Sequence, residues 1–192
     1  FFALTMTVAL PIMITGIGAT TGILARTAQA HGRGDMAALR QVFRDGMIWA
    51  LGLGTLALVL ILSVAPVLSL IGHAPTMIEG ALPVARALAP GAFIQILFVA
   101  CAFWLEATGR TRPALYAMLI ANVVNIAFNL LLIGPMGAEG AAWGTNIARL
   151  TVLLILLGVI LTRAEMRPPR TNAPSELRAI AKIGAAGGVA YF

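Results

Sequence analysis

From Gly46 to Ile71 the sequence carries no charged residue. A helix needs about 20 apolar residues to cross roughly 30 Å of bilayer hydrocarbon, so a run of this length reads as a transmembrane span. Four more runs reach spanning length, from about Phe1 to Ala25, Ile78 to Thr108, Pro113 to Ile133 and Gly140 to Leu161, and a sixth begins beyond Leu177. Composition excludes a soluble alternative. Hydrophobic residues make up 60% of the chain and charged residues 10%, against about half and about a quarter in a soluble domain. So few charges cannot cover a water-facing surface. The expected fold class is therefore all-α and integral to the membrane. It is a polytopic bundle of five full transmembrane helices plus the start of another, with the lipid bilayer as its first partner.

The net charge of +6 raises the question of nucleic acid, and the placement of the basic residues answers it. Arg26, Arg33, Arg40 and Arg44 form one group, Arg110 and Arg112 a second, and Arg163, Arg167, Arg170, Arg178 and Lys182 a third. Each group is separated from the next by two apolar runs. Cytoplasmic connections of membrane proteins are enriched in Lys and Arg, so residues 26–45, 109–112 and 163–182 are expected on the cytoplasmic side of the plasma (inner) membrane, with the start of the chain outside. Basic and aromatic residues are not interleaved as a nucleic-acid surface requires, so no nucleic-acid partner is expected.

Local signals punctuate the spans. Pro11 predicts a kink in the first. His31-Gly32-Arg33-Gly34-Asp35 predicts an exposed turn within the polar connection from Arg26 to Asp45. Trp104 is expected near the membrane interface, and Gly109 as the C-terminal cap of the third span. Gly134-Pro135-Met136-Gly137 predicts an outer turn, and Gly140 and Gly144 stand at the small-xxx-small spacing that lets membrane helices approach closely. From Arg163 to Ser175, Pro168, Pro169 and Pro174 bar a regular helix and mark a linker. Ser175 is a candidate cap for the next helix, whose residues 177 to 182 are expected along the membrane surface. The sequence opens on Phe1-Phe2-Ala3 and closes on Tyr191-Phe192 inside an apolar stretch, which reads as a piece of a longer molecule.

No enzymatic constellation is visible. His31 and His73 fall on opposite sides of the expected membrane, Cys101 is the single cysteine, and no phosphate-binding G-x-x-x-x-G-K-[ST] loop occurs. The residues that carry information are polar groups at membrane depth, since each must find a partner where water is scarce. Asn122, Asn125 and Asn129, spaced three and four apart, share one helical face. Such a carboxamide row can coordinate a cation, hydrogen-bond a substrate or bond another helix. Arg149 lies near the middle of the fifth span, where a charged residue costs about 2.5 to 3.5 kcal/mol. Its partner is either an asparagine or a backbone carbonyl here, or an acid elsewhere in a longer protein, unless the side chain snorkels to the outer surface. Thr145 stands one turn before it and Asn146 is adjacent. Gln95, deep in the third span, either lines a cavity or bonds a neighbour, and Glu106 and Arg110 stand at ion-pair spacing at its end. The pathway candidates are thus Gln95, Asn122, Asn125, Asn129, Thr145, Asn146 and Arg149.

Four segments, in order, resemble the multidrug and toxic compound extrusion (MATE) family. They are residues 27–35 (TAQAHGRGD), 105–113 (LEATGRTRP), 125–129 (NIAFN) and 140–145 (GAAWGT). The resemblance implies two six-helix bundles around a central cavity. It assigns residues 1–163 to helices two to six of the first lobe, 164–176 to the cytoplasmic inter-lobe linker and 177–192 to the start of the second lobe. The missing partners would then be a first helix, which carries an acidic coupling residue, and the rest of the second lobe. It also implies secondary active transport, the proton- or sodium-coupled antiport of organic cations, drugs or other amphipathic compounds, with no cofactor beyond the coupling ion. Asn125 and Asn129 match positions of the first-lobe ion and substrate region, and Thr145 a polar position beside it, so a sodium ion would be expected near these three. One branch carries Asp where this chain has Asn129, and a carboxamide does not titrate. The competing readings are a lipid-linked oligosaccharide flippase of related fold, whose anionic cargo Arg149 and Arg86 would meet, and a non-transporting membrane scaffold.

Overall fold

The computed structural model describes residues 2–162 and 175–189. Among them are seven α-helices and no strand: α1 (Phe2–Ala19), α2 (Thr21–Gly32), α3 (Met36–Leu62), α4 (Val64–Leu70), α5 (Pro75–Ala107), α6 (Arg112–Thr162) and α7 (Leu177–Val189). Four continuous stretches are long and apolar enough to cross a membrane, 2–32, 36–62, 75–107 and 112–162. The last would extend about 75 Å as a straight helix, more than twice the hydrocarbon thickness. It folds back instead at Gly137, whose φ of 56° and ψ of −130° lie outside helical space and suit a residue without Cβ. Its two arms, 112–136 and 138–162, bring the crossings to five. The expected outer turn over 134–137 is thus concentrated in one residue, with helix continuing up to it.

The breaks follow from backbone chemistry. Pro66 has no N–H to offer the carbonyl of Leu62 and its ring crowds that oxygen, so the apolar run 46–71 divides at Ser63 into α3 and α4. Pro11 does not interrupt the first span, since α1 continues through it. The interruption comes at Thr20. There the amide of Ile23 bonds the Thr20 carbonyl, and the Ala19 carbonyl takes the Trp49 indole N–H at 2.9 Å. The polar connection 26–45 is mostly helix. α2 extends to Gly32, and α3 starts at Met36 behind Asp35, whose carboxylate caps the Ala38 amide at 2.9 Å. At the end of α5, Gly109 has a φ of 74°. The amides of Gly109 and Arg110 bond the carbonyls of Glu106 and Leu105, each at 2.9 Å, which is the paired arrangement of a glycine-terminated helix. α5 ends at Ala107, so Arg110 lies beyond the helix that carries Glu106.

α5 is the central element, packed against α1, α2, α3, α4 and α6. Many of its inward residues are small, among them Ala81, Ala85, Ala89, Ala92 and Ala100, all buried, beside the larger Leu88, Ile96 and Leu105. Small residues at helix contacts are what membrane packing selects, since lipid is as apolar as any side chain and only close approach adds attraction. On α6, large residues such as Leu119, Val123, Leu130 and Leu154 face outward. Trp104 stands near the end of α5. It is fully buried, packed edge-on against Phe43 with ring centroids 5.3 Å apart, and its indole N–H bonds the Leu39 carbonyl at 3.1 Å.

α7 does not lie along the surface. Gly22 abuts the backbone of Ile180, and Gly184 abuts that of Ala19, so α7 runs antiparallel beside α2 and α1 from the basic end inward. The linker expected over 164–176 lies outside the described residues except for Ser175 and Glu176.

Candidate functional site

The antiparallel arms of α6 meet α5 around a cavity of about 400 Å³. Asn122 and Asn125 from the first arm, and Thr145 and Arg149 from the second, form its polar lining. Phe98 from α5, Met118 and Val152 supply apolar wall. The volume is in the range of sites that hold drug-sized molecules. A second cavity of about 380 Å³ shares Phe98 and Met118 and reaches Phe103, Glu106 and Thr111, so together they form a groove leading to the basic end.

The polar groups differ in how far they are engaged. Asn129 donates its amide to the Asn125 Oδ1 at 3.0 Å, and Thr145 donates its hydroxyl proton to the Ala141 carbonyl at 2.9 Å. Both bonds stay within one arm. Asn122 is exposed, and Asn125, Thr145 and Arg149 are half-buried. Asn129 stands behind the lining. Its Oδ1 is buried without a hydrogen-bond partner among the described residues, pressed against Gly144. Gly140 likewise abuts the Leu132 backbone, so the small-residue spacing closes the hairpin of α6 upon itself.

Asn146 and Gln95 do not line the cavity. Asn146 is buried and turned toward α5, where it donates to the Ala87 carbonyl at 2.5 Å. Gln95 lies on α5 with its Oε1 buried and without a hydrogen-bond partner among the described residues. Gly91, on the face between them, fixes how closely the second arm approaches. A methyl group there would collide with the Asn146 carboxamide oxygen and come within 2.8 Å of Arg149 Nη1. The polar atoms of residues 146 and 149 therefore rest directly on the α5 backbone. Arg149 Nη1 and Asn146 Oδ1 are both buried without a hydrogen-bond partner among the described residues. Among the described residues, Arg149 is the only charged one lining the 400 Å³ cavity. Arg86 and Glu79, toward the far end of α5, are exposed.

A second polar assembly, which the sequence did not disclose, ties α7 to the bundle. Asp45 is buried and accepts from Gln41 Nε2 at 3.0 Å, Ser175 Oγ at 3.1 Å and the Glu176 amide at 2.7 Å. Ser175 Oγ in turn accepts from the Leu177 amide at 3.3 Å, the capping role expected of it. Glu176 pairs with Arg26 through Nε at 2.8 Å and Nη2 at 2.5 Å. Asp45 closes the polar connection 26–45 in sequence, and its spacing of one helical turn from Gln41 is the only local signal of this bond. Among the described residues no group of His, Cys, Asp and Glu is placed to hold a metal ion.

The same chain can be set beside known proteins. It is 32% identical to the "Probable multidrug resistance protein NorM" of Caulobacter vibrioides over 190 residues, covering 92% of this chain and 40% of that one. It is 28% identical to the "Multidrug resistance protein PmpM" of Pseudomonas aeruginosa over 144 residues, covering 71% and 30%. A MATE crystal structure in the bent conformation superposes with a TM-score of 0.88 at 22% identity, over 98% of this chain and 44% of that chain. A multidrug resistance MATE transporter in its inward-facing conformation gives 0.84 at 23% identity, over 97% and 44%. The chain thus spans less than half the length of these relatives. The MatE family profile matches residues 2–131, the stretch that includes the α5 wall and the asparagine row. This chain belongs to the MatE family.

Proposed function

We propose that this chain is the larger part of the first lobe of an ion-coupled antiporter that exports drugs and other amphipathic compounds across the plasma membrane. Residues 1–163 form the first-lobe bundle, 164–176 the linker and 177–192 the start of the second lobe. Protons or sodium ions drive the exchange, and residues 26–45, 109–112 and 163–182 face the cytoplasm. The observation that carries this reading is the groove between α5 and the arms of α6. Its cavity collects Asn122, Asn125, Thr145 and Arg149 at membrane depth and continues toward the basic end. Among the described residues the asparagine row makes no hydrogen bond to another helix, and Asn129 donates to Asn125 on the same arm, which favours a pathway over interhelical glue. Polar groups at that depth whose hydrogen bonds stay within their own arm suit a solute or ion pathway. Alternating access would rock this bundle against the second.

The test is substrate-driven ion exchange by the full-length protein in vesicles, comparing wild type with Asn125→Ala combined with Asn129→Ala. Exchange should fall at least about tenfold, the loss of one to two hydrogen bonds to a bound solute, while membrane insertion is unaffected. Unchanged exchange would leave both residues a purely structural role in the α6 hairpin.

A further inference from the structure

We propose that Arg26 and Asp45 form a socket on the first-lobe bundle that releases and recaptures Ser175 and Glu176, so that α7 is latched in one half of the transport cycle and free to tilt in the other. The inference rests on the export reading above, which makes α7 the first helix of a second, moving lobe.

The socket belongs to helices that precede the linker, and each half is held from its own helix. Gln41 Nε2 donates to Asp45 Oδ1 within α3 at 3.0 Å, and Arg26 Nη1 donates to Gln29 Oε1 within α2 at 2.6 Å. The socket therefore keeps its shape when α7 departs. The other atoms of both side chains are directed at two consecutive residues at the start of α7. Asp45 Oδ2 accepts from the Ser175 hydroxyl and the Glu176 amide, while Arg26 grips the Glu176 carboxylate through Nε and Nη2. These bonds are polar and Ser175 is exposed, so water can replace each of them as it parts. Parting the same groups into lipid would be far costlier.

Farther along α7 the contact is of another kind. A Cβ on Gly22 would meet the Ile180 carbonyl, one on Gly184 the Ala19 carbonyl, and one on Gly187 the Gly18 carbonyl. Backbone rests on backbone there, with no side chain at these glycines to interlock. A helix seated in this way at one level, and tied by exchangeable bonds at its end, can tilt about the first while the second opens. Glu176 stands eight residues before Gly184, about 12 Å along the axis, so a tilt of about 20° carries it about 4 Å and parts every bond of the latch. Remaking ion pairs at an interface is a common way for packed helices to pass between two arrangements.

The experiment uses the full-length protein in vesicles. In Arg26→Cys combined with Glu176→Cys, a short reducible reagent joins the two thiols, Cys101 being buried, and ion-driven exchange of ethidium is followed before and after reduction. The cross-link should slow exchange at least about tenfold, as expected when a required conformational step is blocked, and reduction should restore it. The reagent should not slow either single variant. Unchanged exchange by cross-linked protein would overturn the proposal in favour of a permanent contact, and so would failure of the two thiols to join. A second readout is independent of transport. Nitroxides at Arg44→Cys and Arg178→Cys, both exposed positions, should report two separations, and adding Asp45→Asn should raise the ratio of long to short at least about threefold. One separation, unmoved by Asp45→Asn, would overturn the latch. Two separations in a wild type that moves no ethidium would uphold the latch and count against the export reading alone.

Discussion

Replacing Asp45 by Asn should loosen the N-terminus of α7 by an amount that can be worked out from its contacts. Two bonds cross from Asp45 to the start of α7, from Ser175 Oγ at 3.1 Å and from the Glu176 amide at 2.7 Å. A third, from Gln41 Nε2 at 3.0 Å, positions the carboxylate from within α3. The Asn side chain keeps the shape and one acceptor, and a flip of the Gln41 amide can preserve the internal bond. What is lost is the charge. Hydrogen bonds to charged groups contribute about 1.5–3 kcal/mol and neutral ones about 0.5–1.5, so two weakened bonds amount to about 2 kcal/mol. Local opening of α7 should then become about thirtyfold more frequent, and amide hydrogen exchange of residues 176–180 faster by that factor. The Arg26–Glu176 pair stays in place and keeps α7 docked, so exchange across α5 should not change. Combining Asp45→Asn with Arg26→Gln should exceed the sum of the single effects, since both hold the same residue. A change below about threefold at 176–180, or equal acceleration in α5, would refute the idea that this carboxylate fastens α7.

Two packing predictions accompany it. Trp104→Phe retains a ring beside Phe43 and removes the indole bond to Leu39, at a cost of about 1 kcal/mol; Trp104→Ala should cost about 3–5 kcal/mol, both read by thermal unfolding of the full-length protein in detergent. Gly144→Val drives a side chain into the Asn129 carboxamide and should destabilise the α6 hairpin by about 1–3 kcal/mol, seen as a reduced monodisperse fraction in size-exclusion chromatography. The conservative counterpart Gly158→Ala, at a position open to solvent or lipid, should leave that fraction unchanged.

The spans could be read from the sequence because membrane insertion depends on length and apolarity, which are local properties. Gly109 was equally readable, since a glycine after an apolar run ends a helix through its own backbone freedom. Breaks set by pairs of residues were not. Pro11 and Pro66 look alike in sequence, yet α1 continues through the first and the run 46–71 divides before the second. Trp104 illustrates a similar limit. Its position near a span end suggested the interface and said nothing of Phe43 and the Leu39 carbonyl, distant in sequence, against which it packs. In the candidate site, helical spacing placed Asn122 and Asn125 on a common face and Thr145 with Arg149 on another. It could not foresee that Asn146 turns to Ala87 or that Gly91 brings α5 against Arg149, because both depend on how the helices approach each other.

The central claim is that the α5/α6 groove is a passage for exported compounds. It is tested most directly by Thr145→Cys in the full-length protein, exposed to a membrane-impermeant thiol reagent in vesicles. Cys101 is buried and the wild type gives the background. If the groove is the passage, the reagent applied from the basic face labels position 145, a transported compound slows that labelling, and labelled protein no longer exchanges. Failure to label, or full exchange by labelled protein, would contradict the account.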